Sequence, residues 1–163
     1  MSGLDIKIGS GMDVHQLVPG RDLIIGGVKI NYEKGLKGHS DADVLIHSVC
    51  DAMLGAAGLG DIGEHFPDTD PQYKGISSSI LLEKCSDLIG EKGYEILNMD
   101  CIVFAQEPRL SPYKKKMAEN IAKVLNLDTD FVNVKATTTE RLGFVGRGEG
   151  IAAQTTLLIR TIL

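Results

Sequence analysis

The sequence predicts an α+β fold, a mixed β-sheet with helices packed on one face in a ferredoxin-like βαβ arrangement. Two observations carry this. Segments of strand-type and helix-type periodicity follow one another as β, hairpin, α, α, β, α, β, β. The helical segment at residues 41–57 is apolar nearly all round and needs wide burial. A sheet covered by helices on one face leaves a second face in need of cover, which association of copies usually supplies.

In chain order, residues 6–15 form a first strand. Gly9 and Gly11 are costly there and signal a bulge or a close backbone approach. Period two places Asp13 and His15 on one side and Val14 on the other. Leu23–Ile30 is two strand-like triplets across Gly26-Gly27, a hairpin. Residues 31–38 read as loop. Ser40, with Asp43 three residues on, starts a helix over 41–57 that Gly55, Gly58 and Gly60 loosen and stop. Phe66–Gly75, rich in Asp, Pro and Gly, is an exposed loop. Ser77–Ser79 cap a second helix reaching Lys92, ended by Gly93. Tyr94–Gln106 holds a long strand, with Cys101–Ala105 continuous enough to be central. Ser111-Pro112 starts a third helix to about Asn126. A short strand at 132–136, a glycine-rich loop at 143–150 and a last strand from Ile151 to about Ile162 complete the chain.

The 163 residues suffice for one domain, 1–163, with a core of its own. Hydrophobic content of 43% and charged content of 24% suit a globular protein. A formal charge of -5 without a long basic run argues against nonspecific binding to nucleic acid or anionic membrane. Cys50, Cys85 and Cys101 are dispersed beside apolar residues, which reads as buried thiols. Met1–Asp5 lacks a signal-peptide pattern and no apolar run approaches a membrane span, so the expected location is the cytoplasm.

Three constellations carry chemistry. Asp13 and His15 on one strand side, with His47 from the helix, would make a mixed oxygen and nitrogen metal site with one position open. Asp51, one turn from His47, would be its outer hydrogen-bond acceptor. The plainer alternatives are a hydrogen-bonded core histidine and surface polars at a strand end. Asp68-x-Asp70 could bind a cation or sugar hydroxyls, or simply form a turn. Thr137-Thr138-Thr139-Glu140 could donate hydroxyls to phosphate and hold Mg²⁺, or act as a capping box. Arg147 is either an anion clamp or a solvated loop residue.

Six motifs stand in order. They are Asp13-Val14-His15, His39-Ser40-Asp41 with His47, Gly60-Asp61-Ile62-Gly63, Phe66-Pro67-Asp68-Thr69-Asp70, Lys135-Ala136-Thr137-Thr138-Thr139-Glu140, and Gly146-Arg147-Gly148-Glu149-Gly150. Together they resemble the 2-C-methyl-D-erythritol 2,4-cyclodiphosphate synthase family of the non-mevalonate isoprenoid pathway. The resemblance implies a homotrimer with active sites at subunit interfaces. Its reaction converts 4-diphosphocytidyl-2-C-methyl-D-erythritol 2-phosphate to the cyclic diphosphate and CMP. Asp13, His15 and His47 would bind Zn²⁺, and Glu140 would ligate Mg²⁺ or Mn²⁺ on the diphosphate. His39 and Thr138 would stabilise the transition state. Asp61, Ile62, Gly63, Phe66, Pro67, Asp68, Thr69 and Asp70 would hold the methylerythritol part, and Ser40 would also bind substrate. Ala105, Gln106, Glu107, Pro108, Arg109, Leu110 and Ser111, with Thr137, would cradle the cytidine, and Thr139 would also bind substrate. Phe144 and Arg147 would face an axial cavity. Arg109 departs from a lysine common in the family, which bears on side-chain roles there. Two other readings of the residues stay open: a metal-dependent phosphohydrolase, with His39 and Asp41 as the extra ligand pair, and a non-catalytic nucleotide sensor.

Overall fold

The computed structural model describes residues 5–162. The sequence readings at residues 1–4 and at residue 163 lie outside that range. The elements are β1 (Ile6–Pro19), β2 (Leu23–Ile25), β3 (Val28–Ile30), β4 (Lys34–Leu36), α1 (Val44–Ala57), α2 (Ile62–His65), α3 (Ser78–Glu91), β5 (Tyr94–Phe104), α4 (Lys114–Leu125), β6 (Val132–Thr137), α5 (Gly143–Gly146) and β7 (Gly150–Thr161), with single 3₁₀ turns at Pro71–Tyr73 and Thr129–Phe131.

A five-stranded sheet runs β4-β1-β7-β5-β6, and β2-β3 form a separate hairpin. β1 and β5 both pair antiparallel with β7, so they run parallel to each other around it, while β5 and β6 pair directly in parallel. The arrangement is α+β and mixed, as expected. The ferredoxin-like expectation holds for its first half, a βαβ unit split by an inserted strand. It fails for the second, because β6 adds outside β5 through a direct α4 crossover.

Register fixes two faces. Gly11, Thr155, Cys101 and Val134 lie in one row, all buried under the helices. The next row, Met12, Gln154, Ile102 and Lys135, faces away. On that open face Ile6, Ile8, Met12 and Val14 are exposed, Ile8 by 67%. The interior of α1 explains the packing. Eleven of its fourteen residues are buried, and it lies directly on β1. A Cβ on Gly9 would collide with the Ala52 carbonyl, and one on Gly11 with the Ser48 carbonyl. Close approach, not a bulge, is the reason for both glycines.

Several boundaries differ from expectation. β1 runs four residues beyond 15, because its far end pairs with β4 in what the sequence presented as loop. α1 starts later: Asp43, not Ser40, is the cap, and its carboxylate accepts from Ile46 N–H at 3.0 Å. That carboxylate also accepts from Gly26 and Gly27 N–H at 2.9 and 2.7 Å, tying the hairpin to the helix start. Burial pushes its pKa up to about 6 against these three bonds. α1 ends at Gly58 in the left-handed conformation. The third helix begins at Lys114, not at Pro112. β5 is a central strand as expected, paired with β7 on one side and β6 on the other.

Gly11→Ala should therefore cost about 1–3 kcal/mol of stability, because α1 cannot retreat without opening the core. Urea unfolding of the variant should show a lower midpoint at unchanged slope. An unchanged midpoint would contradict the contact.

Candidate metal site and cleft

β1 leaves the shadow of α1 at Asp13, so the helix-facing side of the strand changes from glycine to ligand side chains. Asp13 and His15 project there, and His47 comes from the first turns of α1. Asp13 Oδ2 lies 2.7 Å from His15 Nε2 and 3.1 Å from His47 Nδ1. The two ring nitrogens are 3.3 Å apart. Among the described residues this is the single grouping of three such side chains able to hold a metal.

The outer nitrogens fix the tautomers. His15 Nδ1–H donates to the Lys37 carbonyl at 2.8 Å. Ser78 Oγ donates to Asp41 Oδ1, so it receives His47 Nε2–H at 2.9 Å. Ser40 Oγ lies 3.1 Å from the same nitrogen. Three lone pairs therefore converge with no donor of their own between them. That arrangement needs a proton or a cation, and a two-nitrogen, one-oxygen set fits zinc. Ligand atoms about 2.0–2.1 Å from a tetrahedral zinc lie roughly 3.3 Å apart, as the two imidazoles do.

Asp51 does not serve His47: its carboxylate accepts from Ile62 N–H at 3.1 Å, seating α2. Asp43, His47 and Asp51 recur every fourth residue and share one stripe of the helix, but the outer two are spent on backbone. The sequence missed Ser78 because its link to His47 spans 31 residues.

A cleft of about 880 Å³ opens over the triad. His39, Ser40, Ile62, Gly63, Phe66 and Asp68 line it with the three ligands, as do Arg21, Lys37 and Tyr73, which the sequence did not single out. His39 Nε2 is buried without a partner in the described chain. Asp61 and Asp70 act locally, accepting from Glu64 and Gln72 N–H at 3.0 Å each. Pro67 and Thr69 belong to the turn between them but do not line the cleft.

A second cluster gathers elsewhere. Ala105 N–H donates to the Thr137 carbonyl, and Gln106 Oε1 accepts from Arg141 N–H at 3.0 Å, so the 105–111 loop meets the 137–141 loop. Glu107, Arg109 and Ser111 are exposed, Pro108 is half-buried and Leu110 is buried. Thr138 Oγ1 accepts from Glu140 N–H, and Thr139 Oγ1 donates to the Leu142 carbonyl. The capping-box reading fails, since no helix starts there and α5 begins at Gly143 without a side-chain cap. Instead Glu140 and Arg141 take φ of 52° and 65°, a left-handed pair costly for residues with a Cβ. Phe144 borders Gly150, and Arg147 Nε donates to Glu149 at 2.8 Å on the surface.

Val14, Ala152, Phe104 and Thr137 form one row, which puts Thr137 three strands from Val14, roughly 14 Å. The row also faces away from the helices. One chain thus holds the triad and the threonine loop at the same sheet end, on opposite faces. Asp41 is fully committed to Ser78 and to Asp43 N–H, so the extra ligand pair that a two-metal hydrolase wants is not on offer.

Fold and site together define an α+β protein with an Asp/His/His group able to hold a metal ion beneath a cleft. The YgbB family model matches residues 6–160, and the chain belongs to that family. It is 60% identical over 154 residues to the 2-C-methyl-D-erythritol 2,4-cyclodiphosphate synthase of Bacillus subtilis, covering 94% of this chain and 98% of the relative. Its counterpart from Geobacillus sp. shows the same identity and coverage. Among solved structures, the bifunctional IspDF of Campylobacter jejuni matches with TM-score 0.95 at 49% identity, over 98% of this chain and 43% of that one. The CDP complex of Plasmodium falciparum IspF matches with TM-score 0.85 at 37% identity, covering 97% of each chain.

Protons compete for the triad. Burial alone would raise the Asp13 carboxyl, but hydrogen bonds from His15 and His47 hold it at about 2. Burial would lower His15, yet the bond to Asp13 wins and raises it above the ordinary value of 6.5. Without metal, the His15 contribution to stability is present below about 6.5 and is lost as pH rises through the raised value. Metal binding needs the opposite protonation state. The rise in melting temperature produced by zinc should therefore grow from pH 6 to 8, read by scanning calorimetry. A zinc effect independent of pH would contradict the ligand set.

Proposed function

We propose that the chain closes 4-diphosphocytidyl-2-C-methyl-D-erythritol 2-phosphate into 2-C-methyl-D-erythritol 2,4-cyclodiphosphate, releasing CMP, at a site that a neighbouring copy in a homotrimer completes. The activity is the lyase reaction for which its relatives are named, and it belongs to isoprenoid biosynthesis. The observation that carries the site reading is the convergence of Asp13, His15 and His47 beneath a cleft that also holds His39.

An oxygen of the 2-phosphate attacks the β-phosphorus, the bond from that phosphorus to the bridging oxygen breaks, and CMP leaves with the electron pair. The nucleophile is already ionised, so positioning and charge stabilisation do the work. Zn²⁺ on Asp13, His15 and His47, and Mg²⁺ or Mn²⁺ on Glu140, would draw off charge as anion meets anion. His39 turns its unpaired Nε2 to the phosphoryl oxygens, and Thr138 donates its hydroxyl from the other side. Phe66, Tyr73, Ile76 and Leu81 wall the cleft and keep water from the same phosphorus. Ser40 and the turn from Asp61 to Asp70 hold the methylerythritol portion. The 105–111 loop, with Thr137 and Thr139, reads cytosine largely through backbone, which leaves Arg109 free of a base-specific role.

Two features support the neighbour's contribution. The apolar open face of β1 needs cover, and the threonine loop sits on that face, remote from its own triad. Phe144 and Arg147 then lie towards the axis of the ring. The three buried free cysteines suit the reducing cytoplasm.

Product analysis is the direct test. Cyclic diphosphate with equimolar CMP is expected; linear phosphates would indicate a hydrolase, and no turnover a nucleotide sensor. Glu140→Gln should lower turnover at least tenfold and raise the Mg²⁺ requirement, since one ligand charge is lost. Near-normal rates at low Mg²⁺ would remove Glu140 from the metal.

A further inference from the structure

One side chain holds the backbone on both sides of His39. Residues 38–41 bend past the triad without joining the sheet. The stretch just before α3 satisfies part of the segment: Gly75 N–H donates to the His39 carbonyl at 2.8 Å, and Asp41 N–H to the Ile76 carbonyl at 3.2 Å. The carbonyls of Gly38 and Ser40 are satisfied from elsewhere. Arg21, in the turn between β1 and β2, donates Nη1 to Gly38 and Nη2 to Ser40, each at 3.0 Å. A planar guanidinium is suited to this bridge, because its donors are fixed relative to one another.

Arg21 is itself anchored. β4 passes so close that a Cβ on Gly35 would strike the carbonyls of Arg21 and Asp22. Among the described residues, no carboxylate forms an ion pair with Arg21. The side chain is half-buried and lines the cleft over the triad. Two of its five N–H groups are used, which leaves three for a ligand. A partly desolvated cation without an ion-pair partner is costly unless an anion meets it.

We propose that Arg21 is a positioning residue for His39, and that its remaining N–H groups receive a phosphate of the substrate. The second half rests on the function proposed above. The first half does not, since it concerns the resting protein. Lysine in its place keeps the charge but cannot bridge two carbonyls in fixed geometry. Glutamine keeps one donor group and loses the charge.

The test uses the zinc-loaded protein in three forms: wild type, Arg21→Lys and Arg21→Gln. Imidazole resonances of His39 and His65 are followed without substrate, and kcat and KM are measured by CMP release. His65, bonded to the Leu59 carbonyl, serves as the internal reference. Both variants should shift the His39 resonances, leave those of His65 in place and bind zinc as wild type does. Arg21→Lys should lower kcat about tenfold with KM nearly unchanged, the signature of a displaced group. Arg21→Gln should also raise KM about tenfold, with a weaker dependence of kcat/KM on salt. Unmoved His39 resonances with wild-type kcat in Arg21→Lys would overturn the positioning role. A wild-type KM in Arg21→Gln would overturn the phosphate contact. Absence of cyclic product from the wild type, with His39 still shifting in the variants, would count against the proposed function and leave the positioning role standing.

Discussion

The contact of α1 with β1 sets everything else in the site. Gly11 lies against the Ser48 carbonyl and Gly9 against that of Ala52, so helix and strand run side by side in opposite directions. Two strand residues advance about 6.7 Å and four helix residues about 6 Å, close enough for the match to persist. Continued one step, the match brings the start of α1 to Asp13, with His47 beside Ser48. The ligand triad is thus a consequence of backbone packing that only glycine permits. Asp43 locks the same end of the helix by gathering N–H groups from its own first turn and from the Gly26-Gly27 hairpin.

Around the triad, each histidine is held by a group from another part of the chain. The Lys37 carbonyl orients His15, and the Asp41–Ser78 pair orients His47. The segment carrying His39 lies between them, fastened to Arg21 on one side and to Gly75 and Ile76 on the other. A net-acidic chain can then receive a multiply charged phosphate ester, because cationic groups and aligned donors are concentrated in one cleft. The strained turn at Glu140 and Arg141, held by Gln106, is the counterpart on the sheet's far side.

Much of the fold was legible because it depends on local signals. The hairpin followed from Gly26-Gly27, and α3 from Ser77 and Gly93. What escaped depended on pairing across long separations. β4 is three residues with no periodicity of its own and exists because the end of β1 needs a partner. The position of β6 outside β5 was decided in the same way, by tertiary contacts, whereas the start of α1 turned on which of two nearby residues, Ser40 or Asp43, caps it. At the site, Asp13 and His15 were readable from period two, and His47 from its place on a buried helix. Asp51 was misassigned because helical spacing gives a face without saying what that face meets. Ser78 and Arg21 carried no pattern, since a serine before a helix and an arginine in a turn are ordinary in isolation. Family resemblance supplied the grouping of His39, Thr138 and Glu140, which spacing alone left open.

The central claim is that the metal half of the site and the threonine-loop half come from different copies. Co-expression of His47→Ala with Thr138→Ala tests it, each variant being nearly inactive alone. In a head-to-tail ring with random equal mixing, roughly a quarter of the interfaces join two undamaged halves. Each mixed trimer carries one such interface in three, so purified mixed assemblies should recover CMP release to about a third of wild type. Confirmed mixed assemblies that stay as inactive as either parent would contradict the claim and place the whole site within one chain.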